Sequence, residues 1–358
     1  MNVFIVGVGA RTSVGMTAAS SSAAVRAGIS AFAEHPYMVD RAGEPMIVAK
    51  ASYVPDEATG VERLAQLARP AALEALEVLR GLPGGAMPWI PLVVGLPTER
   101  PGLPASFDEV LAANLTQMLR EFNSSPVVKV TPVGHAAGLI ALEAGWENIT
   151  NGRTDFCLAG GVDAYFAPDT LEWLDEQEQL HSTRNSWGFV PGEAAGFCLL
   201  ASERAVRQYG LNALGRLLAV ATEREEKLIK TATVCTGQGL SAAFRQVLPS
   251  LPAPDVKVDQ IICDMNGEPY RADEFAFTML RTSKHFARPG EFQTPADCWG
   301  DVGAASGPLF AVLAIAANSR GYSKGPYNLL WASSEGGQRS AALLYTEQAE
   351  GAQKNLWA

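Results

Sequence analysis

Along the 358-residue chain, short apolar runs alternate with longer stretches whose apolar residues recur every three or four positions. That is the pattern of strands alternating with helices in an α/β protein. Val3 to Val8 predicts a strand, Met16 to Ala33 a helix and Met46 to Val54 a strand. Val61 to Leu79 keeps an apolar helical face through Leu64, Leu67, Ala68, Ala71, Ala72 and Ala75 despite Pro70. Pro91 to Leu96 is a strand, Ser106 to Phe122 a helix, and Val127 to Thr131 a strand running into a sharp turn at Pro132 to His135. A helix then continues through Leu139, Ile140, Leu142, Ala144 and Ile149 to Asn151-Gly152. The following Asp155 to Gly161 suits a fully buried parallel strand.

The same rhythm restarts near Arg216, with a strand at Leu217 to Thr222, a helix at Gly239 to Leu248 and a strand at Asp259 to Met265. Helices at Tyr270 to Leu280 and Gly303 to Ala317 precede strands at Tyr327 to Ser333 and Ser340 to Tyr345. This order predicts mostly parallel sheets and two halves of similar build, residues 1–210 and 211–358. The proline-rich stretches Gly81 to Pro91 and Pro97 to Pro104 are expected to be surface loops.

With 47% hydrophobic and 18% charged residues the chain is expected to be ordered and globular. A net charge of −10 and no clustered Lys or Arg argue against a nucleic-acid partner. Met1 to Gly7 has no basic region before its apolar run, which fits a core strand better than a signal peptide. No apolar run approaches the roughly 20 residues of a membrane span. The five cysteines are scattered, as expected of reduced, mostly buried thiols in a cytoplasmic protein. No Cys/His spacing predicts a metal site, and no cofactor is expected. Gly7-x-Gly9 after the first strand resembles a dinucleotide turn, but Thr12 stands where the third glycine belongs and no acidic residue ends a second strand.

Several strings carry a family resemblance. VFIVGVGARTSVG (Val3 to Gly15), NGRTDFCLAGGVD (Asn151 to Asp163) and above all GFVPGEAAG with FCLLASER (Gly188 to Arg204) resemble the β-ketoacyl-acyl-carrier-protein synthases of the thiolase superfamily. Weaker echoes lie at Asp264 to Pro269, Gly300 to Gly307 and Gly336-Gly337. The resemblance implies a thiolase fold, five-layered α-β-α-β-α from two pseudo-symmetric halves and dimeric. It also implies an acyl-thioester tunnel ending at a nucleophilic cysteine, with two histidines from the second half.

Carried over position by position, the cysteine falls on His135, the first histidine on Asn266 of Asp264-Met265-Asn266-Gly267, and the second on Asp301 before Gly303-Ala304-Ala305. The usual lysine is missing, with Ala296 nearest, and Ser333-Ser334-Glu335 replaces an aromatic gate ahead of Gly336-Gly337. His35, His181 and His285 match no motif. Imidazole cannot hold an acyl chain as a stable thioester, so ordinary condensing activity is not expected.

His135 is left with three roles: a structural residue at a helix start, a general base kept neutral by the helix dipole and oriented by Asp301, or a covalent nucleophile. Asn266 is either a turn residue or a donor to an oxyanion. Asp301 is either an N-cap or the orienter of His135, and Glu335 is a solvated loop residue or part of a polar pocket with Gly336 and Gly337. Gly192-Glu193 predicts a structural turn whose glutamate satisfies buried backbone groups. The short loop before Gly188 and Trp146, Trp173, Trp187 and Trp299 suggest remodelled surfaces.

The primary expectation is a binding, pairing or scaffolding subunit without condensing activity. Its partner would be a second copy or a synthase-like subunit, with an acyl carrier protein, an acyl thioester or a client protein as further partners. The alternative is an acyltransferase or hydrolase using His135, Asp301 and Asn266.

Overall fold

The computed structural model describes residues 2–346 except 81, 83–87, 121, 123–125 and 229. Its first elements are β1 (Val3–Thr12), α1 (Ala18–Arg26), β2 (Phe32–Val39), β3 (Pro45–Ala49), α2 (Gly60–Leu76), β4 (Leu92–Leu96), α3 (Phe107–Leu119) and β5 (Val128–Pro132). Then come α4 (Ala137–Thr150), β6 (Phe156–Ala164), α5 (Pro168–Glu176), β7 (Glu193–Ser202), α6 (Glu203–Tyr209) and β8 (Gly215–Arg224). The chain ends with α7 (Gln238–Val247), β9 (Gln260–Cys263), α8 (Pro269–Thr282), α9 (Ala296–Trp299), α10 (Ser306–Ser319), β10 (Tyr327–Ser333) and β11 (Gln338–Tyr345).

Nine strands form one sheet in the order β5-β4-β6-β7-β1-β8-β11-β10-β9, while β2 and β3 make a separate ribbon. The seam is short: Val3 to Ile5 of β1 pair antiparallel with Gly215 to Leu217 of β8. On either side the same order repeats, β4-β6-β7-β1 and β9-β10-β11-β8. In each set the first pair is parallel and the others antiparallel. β5 extends the first set in parallel with β4. Its counterpart beside β9 is reduced to Gln293, bonded through its backbone to Ile261 and Cys263. The sheet is therefore mixed, not mostly parallel. A strand covered on both faces carries the same apolar run whichever way its neighbours point, so hydrophobicity alone does not reveal direction.

The buried residues sort into layers. α4 and α10 are sandwiched between the inner faces of the two strand sets. α2 and α3 cover the outer face of the first set, and α7 and α8 that of the second. The result is α-β-α-β-α. The middle layer is tight because each central helix has glycine as its second residue. A Cβ on Gly138 would fall 2.4 Å from Pro308 Cδ, and one on Gly307 would fall 2.5 Å from Leu139 Cγ. The two helix starts thus meet reciprocally, and this contact brings the loops before them, carrying His135 and Asp301, to one place.

The glycines of β1 serve packing as well. A Cβ on Gly7 would lie 2.1 Å from Ala75 O and one on Gly9 2.0 Å from Ala71 O. The Gly-x-Gly pair lets α2 lie directly on the strand and is no nucleotide turn.

Three expectations on the elements are corrected. The helix expected over Met16 to Ala33 stops at Arg26, and Gly28 at φ +67° turns the chain into β2. β2 is exposed along most of its length, so no alternation marked it. The strand expected to reach Val54 ends at Ala49. Of the Gly81 to Pro91 stretch, 81 and 83–87 lie outside the described residues; Pro97 to Pro104 is a loop, though Arg100 within it is buried. All five cysteines are buried and unpaired. Of the four tryptophans only Trp187 is prominently exposed, and Trp299 is core. Among the described residues no helix is long and apolar enough to cross a membrane.

Candidate functional site

His135 stands in the turn between β5 and α4, Asn266 follows β9, and Asp301 follows α9. The fold brings all three together. His135 Nε2 lies 2.9 Å from both Asp301 oxygens. Asn266 Nδ2 donates to Asp301 Oδ2 at 2.6 Å and to Glu268 Oε2 at 3.0 Å. Asp301 Oδ1 also accepts the Gly303 N–H at 2.8 Å, at the turn into α10. The N-cap-like and orienting readings of Asp301 are thus both realised geometrically, by different bonds of one carboxylate.

A second ring of charge backs the first. Arg271, on α8 and fully buried, donates from Nη1 to Asp264 Oδ2 at 2.8 Å and to Ser333 O at 3.0 Å. Its Nε reaches Glu268 Oε2 at 3.4 Å. Glu268 also accepts the Tyr270 hydroxyl at 2.7 Å, and Lys230 bridges Glu268 at 3.1 Å and Glu335 at 2.5 Å. Arg271 Nη2 stands 3.1 Å from His135 Nε2. One nitrogen cannot donate to Asp301 and accept from Arg271 together; the carboxylate, with both oxygens close, assigns the proton to Nε2.

This environment works against the expected neutral imidazole. Burial favours the uncharged ring and Arg271 repels the charged one, but Asp301 outweighs both and holds the His135 pKa above its ordinary 6.5. For Asp301, burial acts against the charge, and the His135 contact and hydrogen bond reverse it, keeping the carboxyl well below the usual carboxylate range. Burial pushes Asp264 up, and its Oδ1 has no partner among the described residues. The upward shift favours His135 as the ion-pair partner of Asp301 over a neutral base.

Asn266 and the helix start offer no free donor for oxyanion chemistry either. Both Asn266 N–H groups are committed to carboxylates, and its Oδ1 accepts the Glu268 N–H at 3.1 Å. The Ala136 N–H at the start of α4, a group a helix start usually leaves open, donates to Ser334 Oγ at 2.9 Å. The serine in place of the expected gate thus plugs the helix start.

A small cavity of about 50 Å³ adjoins the site, with His135, Arg100, Asp163, Tyr165, Trp173 and Glu335 in its wall. Gly336 and Gly337, expected in this pocket, do not line it; they turn β10 into β11, where a Cβ on Gly337 would meet Glu225 O at 2.9 Å. Glu335 is exposed at the rim and paired with Lys230. Glu193 does satisfy a buried backbone group, the Ala51 N–H at 2.7 Å, and it also grips Arg63 through Oε2 at 2.5 Å and Oε1 at 2.7 Å.

No motif in the sequence singles out Arg100, Tyr165 or Lys230. Arg100 Nη2 donates to Asp163 Oδ1 at 2.6 Å, and its guanidinium lies 4.1 Å above the Tyr165 ring. An arginine within a proline-bracketed loop and an aromatic residue just after an acidic strand end were the available signals.

The layers and strand order define a protein of the thiolase fold. Solved structures agree: the chain superposes on the ishigamide ketosynthase/chain length factor with a TM-score of 0.79 at 17% identity, over 96% of this chain and 99% of that one. A β-ketoacyl synthase from Burkholderia phymatum gives 0.76 at 15% identity, over 97% and 100%. A chain of the complex between a type II PKS acyl-carrier protein and its ketosynthase gives 0.76 at 15%, over 96% and 99%.

Within that fold the particular kinship comes from sequence. Residues 110–205 match the family model of the β-ketoacyl synthase N-terminal domain. A 143-residue stretch is 29% identical to fatty acid synthase subunit alpha of Emericella nidulans, covering 34% of this chain and only 8% of that protein. The chain thus has the thiolase fold, and about a quarter of its length resembles the β-ketoacyl synthase N-terminal domain.

Proposed function

We propose that this ketosynthase-like chain has lost condensing activity and serves as a binding, pairing or scaffolding subunit, with His135, Asn266 and Asp301 standing at the former Cys-His-His positions. One observation carries the reading: Asp301 and Asn266 spend their hydrogen-bonding groups on each other and on their neighbours. Asp301 takes donors from His135, Asn266 and Gly303, both Asn266 N–H groups are spent, and the helix start is closed by Ser334. A cavity of about 50 Å³ is small for a fatty acyl chain. The likeness to a chain whose published description names a ketosynthase/chain length factor supports a pairing role, as a homodimer or beside a synthase-like subunit. Acyl carrier protein is a further candidate partner, since one similar structure is described as a complex with it.

A second reading rests on the 2.9 Å contact of His135 with Asp301: an acyltransferase or hydrolase with His135 as base. The raised pKa and spent donors count against it. Both readings are tested by incubating the protein with acetyl and palmitoyl thioesters and following thiol release. Equal, background-level release by wild type and His135→Ala is expected, and His135-dependent release would overturn the non-catalytic reading. Light scattering should give about twice the 38.0 kDa chain mass for the homodimer.

A further inference from the structure

The acceptors of Asp301 are used up, but three polar atoms beside it stand open toward the cavity. His135 Nδ1, Arg100 Nη1 and the Tyr165 hydroxyl have no hydrogen-bond partner among the described residues. None of the three atoms is among those sealed from solvent without a partner. All three residues are at least nine-tenths buried, at 7%, 8% and 6% exposure, and all wall the same cavity. Polar groups this buried normally find a partner, so three left open on one cavity favour an occupant that can hydrogen-bond to them.

The negative groups nearby do not compete for these donors. Asp163 gives Oδ1 to Arg100 Nη2 and the Ala164 N–H, and Oδ2 to the Ala304 N–H at 3.1 Å. Asp301 is saturated behind the imidazole. Glu335 is held by Lys230 at the rim. The positions of the donors are fixed from behind: Asp301 anchors His135 through Nε2, and Asp163 and Ala164 O, at 2.6 and 2.8 Å, anchor Arg100 through Nη2. Size then selects the occupant. At roughly 10–15 Å³ for a water, a 50 Å³ cavity holds about three to five waters or one ion of similar atom count.

We propose that this cavity is a binding site for a small carboxylate of about four non-hydrogen atoms, held by His135 Nδ1, Arg100 Nη1 and the Tyr165 hydroxyl. Charge-assisted donors in a fixed fork suit a planar carboxylate. The site extends the proposed function, because it rests on the His135 centre binding a ligand without transforming it.

Sodium acetate is the probe, titrated against the full-length protein with sodium chloride holding ionic strength constant. Calorimetry should show saturable binding of acetate, and benzoate, too large for the cavity, should give none. Tyr165→Phe, which removes one hydroxyl and no existing hydrogen bond, should weaken acetate binding roughly three- to ten-fold. Should that variant fail to fold, Arg100→Lys, which keeps the charge but loses the Nη1 donor, should weaken acetate binding by a similar factor. Absence of acetate binding beyond that of chloride, equal binding of benzoate, or unchanged affinity in the folded variants would mean that the cavity holds water only. The titration contains no thioester, so His135-dependent thiol release would defeat the non-catalytic reading while leaving the binding result to stand by itself.

Discussion

Two buried clusters of charge in this protein look alike in composition and differ in closure. At the first, Arg63 of α2 meets Glu193 at the start of β7. The guanidinium gives Nε and Nη2 to the two carboxylate oxygens and Nη1 to Pro55 O and Ala58 O, and Glu193 also takes the Ala51 N–H. Every guanidinium nitrogen and both carboxylate oxygens have a partner. At the second, His135, Asp301, Arg271 and Asp264 leave Asp264 Oδ1 without a partner and the donors of His135, Arg100 and Tyr165 facing a cavity. The first cluster ties a helix and a loop to a strand. The second retains unspent polarity, which is what a binding site keeps and a structural tie does not.

The sharpest way to break this contrast is to open the balanced cluster. Glu193→Ala leaves Arg63, 2% exposed, without its counter-charge and should cost about 3–5 kcal/mol, read as a lowered urea midpoint. A loss below about 1 kcal/mol would mean that this pair is no structural tie. Asp301→Asn keeps the shape of the second cluster but removes the charge that His135 and Asn266 share. About 1.5–3 kcal/mol should be lost, less than for Glu193 because the amide retains one acceptor.

Most of the frame was legible because it rests on local period. α2, α7 and β10 fall where apolar spacing put them, even across Pro70. Strand direction was not legible, since β1 and β7 are buried on both faces and antiparallel partners leave no mark there. β2 was missed because exposure on both faces erases alternation. At the site, family spacing brought His135, Asn266 and Asp301 together. The pull of Asp301 on the His135 proton was not legible, because a helix start is visible in sequence while a carboxylate 166 residues away at 2.9 Å is not. Arg100 and Tyr165 lie in segments between elements, where no period reports what a side chain will meet.

Acidity separates the two clusters next. The His135 pKa is raised, so the folded protein holds a proton that the unfolded chain releases above about pH 6.5. Its contribution is full below that value and is lost as pH rises through the folded-state pKa. Asp301, lowered, contributes above its ordinary 3.8 and loses that stability as pH falls through its folded value. Between these limits the single ion pair gives a plateau. Urea midpoints measured from pH 6 to 9 should decline in wild type and decline less in His135→Gln; equal slopes would detach His135 from the effect.

The smallest effect is expected at the rim, and it marks where the second cluster meets water. Lys230 joins Glu268, buried, to Glu335, whose side chain is 42% exposed. Its Glu335 half is screened, and the lysine must be ordered to make it, so that bond contributes little. Its Glu268 half is backed by Arg271 and the Tyr270 hydroxyl, which remain when the lysine is removed. Lys230→Ala should therefore shift stability by less than about 1 kcal/mol. If the loss instead approached that of Asp301→Asn, the rim would be part of the closed network, and the boundary drawn between spent and unspent polarity would have to move outward to include Glu335.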